Sequence, residues 1–314
     1  MKAFIIGAAG FVGGHLADQM LSLGWSVGAS KMPQETIKKE GVAVYNIDIL
    51  DPASIRAALE EFAPDYIVHL AAQSSVALSW KNPSLTIDVN IKGAANVLET
   101  VRALQKKPRL LLVGSGEQYG HVRKGECPVG EENPMRPGNI YAATKACQDM
   151  LGKIYADAYD MDVMITRAFN HIGPGQQPMF AVASFCRQVA EIEAGLSQPV
   201  LRVGNLSAQR DFTDVRDVVR AYTLLLEKGR AGEVYNVGSG KAIAISNILE
   251  KIISLSHAQI RIEVDPERLR PVDIPLIEAD IQKLVRDTGW HPVVPLEQTL
   301  QDTLSYWRSA VKNA

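Results

Sequence analysis

The opening of the chain constrains it most. The apolar run Ala3–Ile6 leads straight into Gly7-Ala8-Ala9-Gly10-Phe11-Val12-Gly13, and a segment of helical period follows from near His15. Strand, glycine turn and helix in this order are the context of a dinucleotide-binding βα unit. Glycine lets the backbone approach a pyrophosphate, and the open N–H groups and dipole of a helix N-terminus attract the anion. A tight βα turn that binds nothing has the same spacing, so at this point both readings stand. Lys2 ahead of an apolar run also opens like a secretory signal, but four glycines interrupt the continuous hydrophobic helix that a signal needs.

The pattern repeats. Short apolar runs at Ala3–Ile6, Ser26–Ala29, Val42–Ile47, Tyr66–Leu70, Arg109–Val113 and Val163–Arg167 alternate with helical stretches at His15–Leu23, Ser54–Phe62, Val89–Leu104 and Tyr141–Tyr159. Repeated βαβ units imply an α/β fold, a Rossmann-type doubly wound parallel sheet covered by helices on both faces. Beyond Arg167 the elements shorten, and Pro174, Pro178, Pro199, Pro266, Pro271, Pro275, Pro292 and Pro295 punctuate them, which marks a smaller C-terminal α/β substrate lobe. The expected division is a dinucleotide-binding domain over 1–168, with 211–237 returning to its sheet through a helix at Val215–Glu227 and a strand at Val234–Val237. Residues 169–210 and 238–314 then form the second lobe. At 314 residues the chain has room for both.

Charge narrows the partners. Lys and Arg total 33 against 35 Asp and Glu, a net charge of −2, so there is no polybasic footprint for nucleic acid or for a membrane surface. An anionic ligand must be met by a local cluster. The longest stretch without Asp, Glu, Lys or Arg, Ala168–Cys186, contains Asn170, His171, Pro174 and Pro178 and is no membrane helix. Cys127, Cys147 and Cys186 are odd in number and lack CxxC spacing, which suits a reducing, cytoplasmic compartment. The six histidines lie singly, and no metal site is expected.

Two further clusters carry chemistry. Tyr141 and Lys145 stand four residues apart on one helix face. A nearby ammonium stabilises phenolate and draws the tyrosine from its usual ~10 toward neutrality, where it can exchange a proton with a hydroxyl or ketone. Ser115 follows the fifth strand at the carboxyl edge of the sheet, where open α/β folds bind ligands. At the end of the second strand the chain reads Gly28-Ala29-Ser30-Lys31 rather than carrying an acid for the adenosine ribose. Ser30 and Lys31 therefore suit a 2′-phosphate, so NADP(H) is preferred and NAD(H) is possible, although a solvated loop lysine would look the same.

The GxxGxxG turn, Ser115, Tyr141 and Lys145, in that order and at those separations, resemble the extended short-chain dehydrogenase/reductase family, the NAD-dependent epimerases and dehydratases. The resemblance implies that Gly7, Gly10, Phe11, Val12 and Gly13 cradle the dinucleotide. It also sets Asp48 and Ile49 near the adenine and Leu70, Ala71 and Ala72 beside the cofactor. In the same terms Ser115 orients a carbonyl, Tyr141 delivers its proton, and Lys145 tunes Tyr141 and bonds the nicotinamide ribose. Asp48 reads equally as a turn residue. Glu117 matches the base of family dehydratases or is a carboxylate satisfied by backbone N–H groups.

The segments NHIGPGQ, GNLSAQRDFTDVRDV, DPERLRP and DTGWHP are similar to those of family members acting on GDP-linked hexoses. That likeness implies substrate contacts at Asn170, Asn205, Arg210, Arg270 and Asp273, with Arg210 as a diphosphate clamp or else an ion pair to Asp211 or Asp214. The implied activity is reduction of the 4-keto group of a GDP-4-keto-6-deoxyhexose. Redox-neutral 4,6-dehydration through Glu117, 4-epimerisation and a non-catalytic NADP-binding sensor are the alternatives. A homodimer through Val89–Leu104 and Tyr141–Tyr159 is implied as well. The chain departs from the family in Ile6, where threonine is common, and in Gly116, where serine is usual.

Overall fold

The computed structural model describes residues 1–123, 125–269 and 274–312. Its strands, in chain order, are β1 (Lys2–Ile6), β2 (Ser26–Lys31), β3 (Val42–Asn46), β4 (Tyr66–His69), β5 (Arg109–Ser115), β6 (Val163–Ala168), β7 (Asn170–Ile172), β8 (Val200–Val203), β9 (Gln209–Asp214), β10 (Val234–Val237), β11 (Ala242–Ala244), β12 (Arg261–Val264) and β13 (Leu276–Ile277). Seven of them form one sheet in the order β10-β6-β5-β4-β1-β2-β3, parallel throughout. The apolar runs are continuous because both faces are covered: Ala3 and Ile5 enter the core on one side, Phe4 and Ile6 the core on the other. The strand order reverses between β1 and β4. Ligands of open α/β sheets bind outside the carboxyl ends of the strands at such a point.

The helix after β1 runs Phe11–Ser22, four residues earlier than the periodicity suggests, so its first turn is itself part of the glycine turn. The expected helix Val89–Leu104 is instead a π-helical turn, Asp88–Lys92, continued by an α-helix, Gly93–Ala103. The wide turn directs Asn90, which is fully buried, to Gln73 N (2.8 Å), Gln73 O (3.0 Å) and Thr144 Oγ1 (2.9 Å). One side chain thus ties the loop after β4 to the helix Ile140–Tyr159.

The return to the large sheet starts later than residue 211. Strand β9 belongs to a small sheet with β7, β11 and β13, and only the helix Val215–Lys228 and β10 rejoin the first lobe. Beside it β8 pairs with β12, and a third core of Ile172, Phe185, Leu201, Phe212, Ile248 and Leu304 fills the second lobe.

Three aspartates spaced by three stitch this segment to later chain. Asp211 accepts from Ser239 N and Oγ, Gly240 N and Ala279 N; Asp214 accepts from Thr299 Oγ1 (2.7 Å); and Asp217 accepts from Val293 N (2.9 Å) and Val294 N (2.8 Å). No helix among the described residues is long and apolar enough to cross a membrane, and no group of three or more metal-ligating side chains is found among them.

Close packing fixes one glycine of the turn. A Cβ on Gly13 would stand 2.5 Å from both Cα and O of Ala8, whereas one on Gly14 would meet nothing within 4 Å. Gly13→Ala is therefore expected to cost about 1–3 kcal/mol in urea unfolding, and Gly14→Ala to be neutral or slightly stabilising. Equal midpoints for the two variants would contradict this packing.

Candidate active site

A cavity of about 920 Å³ opens at the carboxyl edge of the large sheet, bounded on the far side by residues of the second lobe. Every residue expected at the dinucleotide lines it, from Gly7 through Gly13, Ser30, Lys31, Asp48 and Ile49 to Leu70, Ala71 and Ala72. Gly7 has φ +91°, and a Cβ there would come within 2.6 Å of Ala71 N. Its N–H donates to Ser30 Oγ at 2.8 Å, so the buried Ser30 hydroxyl secures the turn. Lys31 is the cation at this end of the cavity, its Nζ 3.4 Å from Met32 O. Asp48 lines the cavity, and its Oδ1 accepts from Leu50 N at 2.9 Å.

The cavity fits a phosphorylated dinucleotide. Gly10 caps the helix Phe11–Ser22 without any side-chain hydrogen bond, which leaves first-turn N–H groups for an anion. A Cβ on Gly10 would meet only Gly7 O at 3.5 Å, so internal packing does not demand glycine there. Oε1 of Gln176, a buried residue that also lines the cavity, has no partner among the described residues.

The polar centre assembles from two elements. Ser115 ends β5 and caps the short 3₁₀ turn Gly116–Tyr119, accepting from Glu117 N (3.2 Å) while its own N–H donates to Gln118 Oε1 (2.7 Å). Tyr141 lies in the first turn of the helix Ile140–Tyr159 and lines the same cavity as Ser115, whose side chain acts on its phenol. Asn139 caps that helix by accepting from Ala142 N (2.8 Å), and its Nδ2 donates to Glu117 Oε2 (3.2 Å). Lys145 Nζ donates to Val113 O (2.8 Å) and Gln148 Oε1 (3.0 Å).

A buried ion pair braces the pieces. Gln118 Nε2 donates to Asp149 Oδ2 (3.0 Å), Arg167 Nε donates to the same oxygen (2.8 Å), and Arg167 Nη1 reaches Tyr119 OH (3.1 Å) and Glu131 O (2.8 Å).

Burial sets the protonation states. The phenol of Tyr141 is pushed up to about 12 by loss of water and by the Glu117 charge, against the opposing Ser115 bond. Spacing alone anticipates a lowered phenol; in the folded chain desolvation outweighs any help from the ammonium, which is engaged by Val113 and Gln148. Burial likewise brings Lys145 down to about 7. His69, at the end of β4, falls to about 3 through burial first and the Lys145 charge second, and neither ring nitrogen has a partner among the described residues. At neutral pH Tyr141 thus holds its proton, the state a donor needs.

The substrate side is less completely anticipated. Asn170 lines the cavity. Asn205 is exposed, with Oδ1 accepting from Ser207 N (3.0 Å) and Oγ (2.8 Å), and does not line it. Arg210 is buried beside it rather than in its wall, donating to Gln209 O (2.9 Å) and Ile274 O (2.5 Å), while Asp211 and Asp214 are engaged elsewhere. Arg270 and Asp273 lie outside the described residues. Sequence reasoning missed Arg268, which lines the cavity and donates to Ser184 Oγ at 3.1 Å. The basic DPERLRP run was the available signal. It also missed Gln176, which sits at the end of NHIGPGQ.

A family model described as GDP-mannose 4,6 dehydratase matches residues 4–303. The GDP-6-deoxy-D-mannose reductase of Pseudomonas aeruginosa is 33% identical over 311 residues, covering 99% of this chain and 98% of the relative. Among solved structures, that of RMD from Pseudomonas aeruginosa complexed with NADPH superposes with a TM-score of 0.87 at 33% identity, covering 98% and 99% of the two chains. The Thermus thermophilus UDP-glucose 4-epimerase in complex with NAD gives a TM-score of 0.88 at 29% identity, covering 99% and 100%.

The lowered lysine has a consequence for stability. Its ordinary value is 10.5, so between about 7 and 10.5 the unfolded chain binds a proton that the folded chain does not, and stability rises with pH across that window. Relative to Lys145→Met, which cannot titrate, the parent chain is expected to gain up to about 1.4 kcal/mol per pH unit over this range in urea unfolding. A constant difference between the two would show that Lys145 is not depressed.

Proposed function

Because the chain belongs to the GDP-mannose 4,6-dehydratase family, nucleotide-sugar enzymes of the extended short-chain dehydrogenase/reductase type, we propose that it reduces the 4-keto group of GDP-4-keto-6-deoxy-D-mannose to a GDP-6-deoxyhexose such as GDP-D-rhamnose. One observation carries this reading: Tyr141, holding its proton, shares with Ser115 the cavity that the glycine turn lines, in a chain similar along its whole length to a GDP-6-deoxy-D-mannose reductase.

NADPH, or NADH in its place, would supply a hydride to carbon 4 when bound. Phe11–Gly13 would hold its pyrophosphate, Lys31 its 2′-phosphate, Asp48 and Ile49 the adenine, and Leu70–Ala72 the face beside the nicotinamide. Ser115 bonds the keto oxygen, and Tyr141 gives that oxygen its proton as the carbonyl is reduced. Lys145 lies one helical turn behind, where its charge favours the phenolate left by the transfer. Arg268 and Asn170 face the side where the GDP group would be gripped. Binding energy gained there, away from the reacting carbon, orients it. Gln176 Oε1 is an acceptor for a ligand N–H or hydroxyl.

A second reading is 4,6-dehydration, and Glu117 favours it. That carboxylate lines the cavity, accepts from Asn139 and acts electrostatically on Tyr141, so a hexose bound against Tyr141 would have a base within the same cavity. The division into a dinucleotide unit, 1–168 with the returning helix and β10, and a nucleotide-sugar lobe belongs to the same proposal. So does a cytoplasmic location, with all three thiols free.

We also propose a homodimer. Met150, Ile154 and Tyr159 on the helix Ile140–Tyr159, with Ile87 just before the π turn, are apolar and more than 40% exposed, the composition of a helix-to-helix contact.

The assay uses freshly prepared GDP-4-keto-6-deoxymannose. Purified protein is expected to oxidise NADPH with it, and Tyr141→Phe to lower kcat by about 10²–10⁴-fold. No oxidation of either reduced nucleotide would refute the reductase. A 4-keto product formed from GDP-mannose without added reductant, and lost in Glu117→Gln, would establish the dehydratase instead. For assembly, Ile154→Glu is expected to convert a dimer into a monomer by light scattering, and a parent chain already at monomer mass would refute the contact.

A further inference from the structure

Lys145 is 3% exposed, and an ammonium has three N–H donors. Two are spent on Val113 O at 2.8 Å and on Gln148 Oε1 at 3.0 Å. Gln148 is fully buried, three residues further along the same helix, and its Nε2 donates to the same Val113 carbonyl at 3.2 Å. The three groups close a triangle: the carbonyl accepts twice, the amide both gives and takes, and the ammonium gives twice. This uses both ends of the amide, so its orientation is fixed and only a side chain of this length and mixed polarity completes it.

We propose that Gln148 is a positioning residue for Lys145, parking the ammonium at the end of β5 against a neutral partner and leaving its third N–H for a ligand hydroxyl in the cavity. The inference rests on the reading of Lys145 as the cation of the reductive centre. The groups around Lys145 make the neutrality of that partner matter. On its own helix Asp149 is paired with Arg167 of β6, and Tyr141 holds its proton; Glu117, beyond β5, is bonded to Asn139 and acts on Tyr141; His69 of β4 is uncharged. On the segments packed across the helix, Lys81, Asp88, Lys92, Glu99 and Arg102 are exposed. Among the described residues Lys145 makes no ion pair, so the group at 148 decides how tightly it keeps its proton. A carboxylate there would lock the charge on, and an apolar side chain would leave the ammonium with one acceptor.

The test is an NMR titration of the protein without ligands, labelled at lysine ¹³Cε, with Lys145→Met assigning the signal. The parent is expected to titrate near 7, Gln148→Glu about one pH unit higher and Gln148→Met about one unit lower. In the unsubstituted protein the Gln148 side-chain amide signals are expected to move with the Lys145 midpoint, a readout that does not depend on either Gln148 variant folding. The descending alkaline limb of kcat should follow the same order of midpoints across the three proteins. Equal midpoints, shifts of one sign in both variants, or a Gln148 amide that ignores the Lys145 titration would overturn the proposal. Because the lysine titration is read without substrate, a failed reductase assay leaves it intact, and its failure leaves the reductase assay intact.

Discussion

The buried pair Asp149–Arg167 is the interaction on which the site's geometry depends. Its partners lie on the helix Ile140–Tyr159 and on β6, and through Gln118 and Tyr119 it also grips the turn that follows β5. Tyr119 in turn donates to Asn236 of β10 at 2.7 Å. Ser115, at the start of that turn, and Tyr141, two turns before Asp149, therefore meet because one carboxylate and one guanidinium are both fully coordinated out of water. A buried pair of this kind contributes less net stability than its short distances suggest, since both ions had to be desolvated. Its larger contribution here is register, because the wrong spacing of helix and turn would strand a charge.

Burial governs the chemistry in the same way. Tyr141 and Lys145 are displaced in opposite directions, and both displacements favour the neutral form. At neutral pH the pair is thus a phenol beside a lysine that holds its proton only in part. His69, neutral and unpartnered among the described residues, keeps a competing cation out of that space.

Much of this was legible in the residues. Alternating apolar runs disclose the parallel sheet because strands buried on both faces cannot be mistaken for amphipathic ones, and the glycine turn, Ser115, Tyr141 and Lys145 all line the cavity. What was missed depends on contacts between distant residues. Periodicity reads Val89–Leu104 as one helix because the cause of its π turn, Asn90 bonding to Gln73 and Thr144, lies 17 and 54 residues away. The helix after β1 starts early because Gly10 can cap it through backbone alone. Arg210 looks like a clamp by type and neighbourhood; in the folded chain its guanidinium bonds the backbone carbonyls of Gln209 and Ile274, and Arg268 is the arginine that lines the cavity. The pKa directions were not legible either, since spacing carries charge but not desolvation.

The three aspartates of the segment 211–217 have an implication for how the chain is made. Each carboxylate accepts from residues that lie well downstream, in 239–240 and 279, at 299, and at 293–294, while Asp214 and Asp217 are also held locally by Arg216 and Arg220. Until almost the whole polypeptide has emerged, Asp211 lacks its full set of donors from Ser239, Gly240 and Ala279, and Asp214 and Asp217 have only their neighbouring arginines, so the contacts that close this segment against later chain are not yet available. The stretch from 239 onward acts as the clasp of a half-finished molecule, so the sheet that binds the dinucleotide can form early while the cavity itself is completed last.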